Sequence, residues 1–119
     1  MSKIALAIAV CAGLALGFAE RAHAESKDIV LGFAVALTGF MNAYDGDSTK
    51  MAKLWIDQTN AKGGLLGRKL KWVEADTKTD RTEGAKAGQS VIDQGAELVF
   101  VSCDYDYGAP AGLQAHKAG

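Results

Sequence analysis

The sequence predicts an α/β fold, a three-layer parallel sheet joined by right-handed strand–helix–strand crossovers. Three observations predict it. Two apolar runs, Asp28 to Leu37 and Leu98 to Val101, show no polar alternation, which marks strands covered on both faces. Two amphipathic stretches separate the β-rich segments. Glycines close the helical stretches at Gly63-Gly64 and Gly95. Strands alternating with helices demand a parallel sheet.

Asp28 to Leu37 is the first and central strand. Thr38 to Asp47 reads as a glycine-bearing loop. A helix follows from about Ser48 to Lys62, with Asp47 or Ser48 as its N-cap. Met51, Ala52, Leu54, Trp55 and Thr59 share one arc of that helix, and Lys50, Lys53, Asp57 and Asn60 share the other. Lys53 and Asp57 are four apart and suit an ion pair across the wet arc. Leu65 to Arg68 turns the chain into a second strand, Lys69 to Ala75. Its partly alternating pattern suits an edge, and both tryptophans, Trp55 and Trp72, read as core or edge packing. The second helix spans about Arg81 to Gln94. Asp80 and Glu83 have capping-box spacing, and its arc of Gly84, Ala85, Gly88, Val91 and Ile92 is small enough for close approach to the sheet. Leu98 to Val101 is the third strand. Ser102 to Ala109 reads as a loop, with Pro110 opening a third helix whose surface carries His116.

Residues 1–24 read as a leader to be set apart from the fold. Lys3 supplies a positive start, Ile4 to Phe18 an uncharged apolar core, and Ala22-His23-Ala24 the small residues of a cleavage site. The run is short for a membrane span. Residues 25–119 are then an exported, incomplete domain, since three strands and under three helices bury little core. After removal of the leader, Cys103 is the single cysteine, either a buried free thiol or half of a bridge to a partner absent from this sequence.

Composition narrows the function. The 13 basic and 14 acidic residues nearly cancel, against a nucleic-acid partner. No glycine-rich phosphate loop follows the first strand. Thr38-Gly39 stands where a phospho-receiver would need carboxylates. Asp76 and Asp80 lack the further ligands a cation site requires and suit loop and cap roles. No cofactor and no catalysis are expected. In open parallel sheets, ligands bind beyond the carboxyl ends of the strands. That places the turns after the first and third strands, 37–46 and 102–108, at the candidate site.

A resemblance sharpens this reading. Ala36-Leu37-Thr38-Gly39, then Tyr44, then Asn60-Ala61-Lys62-Gly63-Gly64-Leu65-Leu66-Gly67-Arg68-Lys69-Leu70, then Glu74-Ala75-Asp76, resemble the start of the substrate-binding proteins of branched-chain amino acid ABC transporters, the type I periplasmic binding proteins. The resemblance implies a two-lobed periplasmic protein, of which residues 25–119 are part of lobe I, that closes on a small solute and delivers it to a membrane permease. It implies ligand contacts at Thr38 and Tyr44. In the second run, where many relatives carry Cys-Ser-Ser-Ser-Thr, this chain has Cys103, Asp104, Tyr105, Asp106 and Tyr107. Carboxylates there would repel a ligand carboxylate. They favour a cationic or hydroxyl-rich end, or an aromatic face. Lys78 stands near a position where some relatives have a cysteine, so Cys103 is expected unbridged. A ligand-sensing ectodomain of a signalling receptor, built on the same lobe, is the alternative.

Overall fold

The computed structural model describes residues 27–119; the leader lies outside the described residues. The elements run β1 (Ile29–Val35), α1 (Asn42–Ala61), β2 (Leu70–Asp76), α2 (Arg81–Asp93), β3 (Leu98–Val101) and α3 (Tyr105–Ala118). The strands form one parallel sheet in the order β2-β1-β3. Stepping from β1 to β2 and then back across to β3 with crossovers of one hand places α1 and α2 on opposite faces, and α3 packs beside α2. The core divides accordingly. Leu31, Phe33 and Val35 pack with Leu70 and with Ile56 of α1. Ala34 packs on the other side with Ala87 and Val91 of α2 and Ala111 of α3. β1 is buried on both faces, as its uninterrupted apolar run predicts.

Several boundaries and faces depart from the sequence expectation. α1 begins at Asn42, six residues before Ser48, so Tyr44, Asp45 and Asp47 are helical. Its N-cap position, Met41, makes no side-chain cap. Ser48 bonds backward to the carbonyls of Tyr44 and Asp45, at 3.2 and 3.0 Å, instead of capping forward. The buried face of α1 is Asp45, Thr49 and Ile56, with Ala52 beside it. Met51, Leu54 and Trp55 are exposed, against the arc read from the sequence. Lys53 pairs with Glu74 of β2, not with Asp57, and its ammonium lies 5.8 Å from the centre of the Trp72 ring.

On the other face, Asp80 caps α2 by accepting from Glu83 N–H at 2.9 Å, as the spacing predicts. The glycines of α2 approach α3, not the sheet. A Cβ on Gly88 would lie 2.6 Å from Ala111 Cα, and one on Gly84 2.6 Å from the Tyr107 carbonyl oxygen. α3 begins at Tyr105, five residues before Pro110, because Asp104 caps it by accepting from Asp106 N–H at 2.8 Å. Pro110 sits within the helix and forgoes the bond to the carbonyl four residues back. β3 is an edge strand whose Leu98, Phe100 and Val101 are exposed, although Phe100 stacks on Phe33 with ring centres 5.1 Å apart.

Candidate functional site

Three chain segments leave the carboxyl edge of the sheet side by side: 36–41 after β1, 77–80 after β2 and 102–104 after β3. Each leads to a helix N-terminus, where backbone N–H groups lack helical partners. Two carboxylates hold the N–H groups of the exit turns that precede those helices.

Asp45, on the first turns of α1, is 3% exposed. Its Oδ2 accepts from Ala36 N–H at 2.9 Å, and its Oδ1 from Cys103 N–H at 3.2 Å. One side chain thus bridges the exits of β1 and β3. Burial alone would raise its pKa. The donors at Ala36, Ser102 and Cys103 outweigh burial and hold the carboxyl below its ordinary value. The Ser102 hydroxyl is near enough to contribute to that field, yet its oxygen is buried without a well-formed hydrogen bond.

Asp76, the last residue of β2, joins β2 to β1. It accepts from Leu37 N–H at 2.9 Å, Thr38 N–H at 3.2 Å, the Thr38 hydroxyl at 2.6 Å and Lys78 N–H at 2.8 Å. Here too burial raises the pKa, and the donors, the Thr38 hydroxyl first, bring it below the ordinary value. Thr79 completes the turn, donating its hydroxyl to the Thr38 carbonyl at 3.0 Å.

Above this stitched edge lies an open depression of about 360 Å³, lined by Phe40, Met41, Tyr44, Cys103 and Asp104. Tyr44 and Asp104, expected on one wall, face the same hollow. Phe40 also meets Tyr107 edge-on at 6.0 Å, a second link between the two turns. Cys103 is an exposed free thiol, not a buried one. Hydrogen bonding to Asp45, then burial and the charges of Asp45 and Asp104, push its pKa up.

The other candidates fall differently. Thr38 is not among the residues that line the depression; its hydroxyl proton is committed to Asp76, which leaves its lone pairs free to accept. Tyr105 and Asp106 line a separate groove of about 460 Å³ with Arg81, Ala109, Pro110 and Leu113. Asp106 pairs there with Arg81. The structure therefore brings together Tyr44, Cys103 and Asp104, holds Thr38 against Asp76 outside that lining, and turns Tyr105 and Asp106 aside.

Sequence reasoning missed Asp45, and it left Phe40 and Met41 out of the candidate set. The available signal for Asp45 was its place in the series 45, 49, 52 and 56, which falls on one helical face only once α1 is extended to Asn42. No group of three or more metal-ligating side chains occurs among the described residues. No helix there is long and apolar enough to cross a membrane.

Comparison with known proteins bears on this geometry. A family profile described as periplasmic binding protein matches residues 28–112. The Leu/Ile/Val-binding protein BraC3 of Rhizobium johnstonii is 36% identical over 84 residues, covering 71% of this chain and 22% of the relative. The Leu/Ile/Val-binding protein homolog 3 of Brucella melitensis is 30% identical over 84 residues, with the same coverage. The chain spans about a fifth of the length of these curated relatives. Among solved structures, the branched-chain amino acid transporter substrate binding protein LivJ of Streptococcus pneumoniae, in complex with isoleucine, aligns with a TM-score of 0.72 at 29% identity. That alignment covers 76% of this chain and 26% of the other.

Proposed function

The chain belongs to the periplasmic binding protein family, and from that premise we propose that it builds one wall of the ligand cleft of an extracytoplasmic solute-binding protein. That protein captures a small polar solute, an amino acid, an amide or a related compound, between two lobes. It hands the solute to the membrane permease of an ABC importer. Residues 25–119 form part of the first lobe, behind a leader at 1–24 that directs export to the periplasm. The role is to grip and release, with no bond made or broken.

The observation that carries this reading is the placement of Tyr44 and Asp104 on one depression at the carboxyl edge of a parallel sheet. The relatives' names and the isoleucine bound to LivJ support an amino-acid-like solute. Asp104 refines the pose. It caps α3 through one oxygen and offers acceptor capacity beside two aromatic rings, so the solute's cationic or hydroxyl-bearing end meets this wall and its carboxylate lies elsewhere.

The test is a thermal-shift screen of the full-length protein against leucine, isoleucine, valine, amides, polyamines, polyols and aromatic acids. Ligand at a hundredfold excess over its Kd should add about 2.7 kcal/mol of stability and raise Tm by several degrees. If no class of solute raises Tm, the reading is wrong.

A further inference from the structure

We propose that Asp45 is a positioning residue for the ligand wall, whose two carboxylate oxygens fix the spacing between the turn after β1 and the turn after β3. The inference rests on the solute-binding reading and deepens it. Neither oxygen touches the depression. Each takes a different backbone N–H, Ala36 at 2.9 Å and Cys103 at 3.2 Å, from turns 67 residues apart in sequence. The residues that line the depression extend from those turns: Phe40, Met41 and Tyr44 on one side, Cys103 and Asp104 on the other. Asp45 is itself adjacent to Tyr44 in α1, so the same residue sets the height of the tyrosine against both turns.

A buried carboxylate is a costly way to hold a helix on a sheet, since an apolar side chain would pack there without desolvating a charge. A carboxylate does what an apolar residue cannot. It accepts from two donors in different segments at once and makes their separation a fixed distance. Asp76 performs the corresponding task between β2 and β1, but it does not reach β3. Among the described residues, Asp45 is the side chain whose hydrogen bonds join the two halves of the wall.

Asparagine separates this role from simple packing. It is isosteric with Asp but keeps a single acceptor oxygen, and its amide would face one of the two N–H groups donor to donor. The experiment is amide hydrogen exchange by NMR on the full-length protein, wild type against D45N, with D45A as a second variant. In D45N, protection at either Ala36 or Cys103 should fall at least about tenfold, as expected for loss of a charged hydrogen bond. Protection at Phe33 and Val91 in the core should stay within about threefold. D45A should lose both turn amides. Isoleucine binding, followed on the same samples by calorimetry, should weaken at least about tenfold in D45N. Unchanged protection at both turn amides in D45N would overturn the proposal. So would an equal loss at the turns and the core, which means that Asp45 merely stabilises the fold. The exchange arm contains no solute, so it decides the role of Asp45 even where isoleucine fails to bind the wild type and the functional reading falls.

Discussion

The two ends of the sheet are fastened by opposite chemistry. At the carboxyl end, buried or half-buried acids hold backbone N–H groups: Asp45 takes Ala36 and Cys103, and Asp76 takes Leu37, Thr38 and Lys78. At the amino end, donors hold carbonyls. Arg68 reaches the carbonyls of Lys27 and Asp28 and pairs with Glu97, and Lys69 reaches the Asn60 carbonyl at 2.7 Å. Asn60 does both, clasping the N–H and the carbonyl of Leu70, each at 2.8 Å. The N–H groups held at the carboxyl end belong to the exit turns that precede the helices, and the carbonyls held at the amino end belong to the entry to β1 and to the last turn of α1. The end that carries the depression is therefore also the end where structural carboxylates collect, and an acidic residue near it is not by itself a ligand contact.

The largest effect that sharpens this contrast is at the amino end. Gly64 has φ +89°, and a side chain there would overlap the Arg68 carbonyl oxygen, which is backbone and cannot move aside cheaply. Gly64→Ala should destabilise by about 2–4 kcal/mol, by strain and overpacking together, in chemical denaturation. The depression at the opposite end should keep its shape, seen as unshifted amide resonances at Ala36 and Cys103.

A smaller effect separates the ends by pH. Both Asp45 and Asp76 have folded pKa values below their ordinary ones. Their stabilisation is therefore present above about pH 4, the unfolded range, and is lost as pH falls through the depressed folded values. On acidification, amide protection at Ala36, Leu37 and Thr38 should fall before that at Ile29, whose N–H bonds the Lys69 carbonyl at 2.8 Å at the other end. Simultaneous loss at both ends would remove the contrast. The smallest effect should come from Arg68→Ala. Its contacts are partly solvated, so about 1 kcal/mol or less is expected, with no change in solute affinity.

The sequence made β1, the edge position of β2 and the cap of α2 legible, because each rests on a local pattern: an unbroken apolar run, partial alternation, and Asp80 three residues before Glu83. The starts of α1 and α3 were not legible. Asp47 and Ser48 imitate an N-cap in mid-helix, while the true start at Asn42 carries no side-chain cap. Pro110 imitates a first helical residue although Asp104 has already capped α3. The exposed Met51, Leu54 and Trp55 likewise look like a core face in isolation; of that arc Ala52 does pack on the core, and only the position of the sheet selects Thr49 and Ile56 beside it. The same gap hid Asp45. A carboxylate in a helix reads as solvated until tertiary structure places two N–H groups against it. That Tyr44 and Asp104 line one hollow was legible by contrast, because the resemblance and the strand-end rule both lead to the segments after β1 and β3.

The central claim is that these two turns act as one surface toward the solute. Its most direct measurement is calorimetric titration of the full-length protein with the solute that most raises its Tm, comparing wild type, Tyr44→Ala and Asp104→Ala. Both residues face the depression, and Tyr44 is 67% exposed. Each variant should therefore bind at least about tenfold more weakly while melting within a few degrees of wild type. Wild-type affinity in both variants would contradict the account.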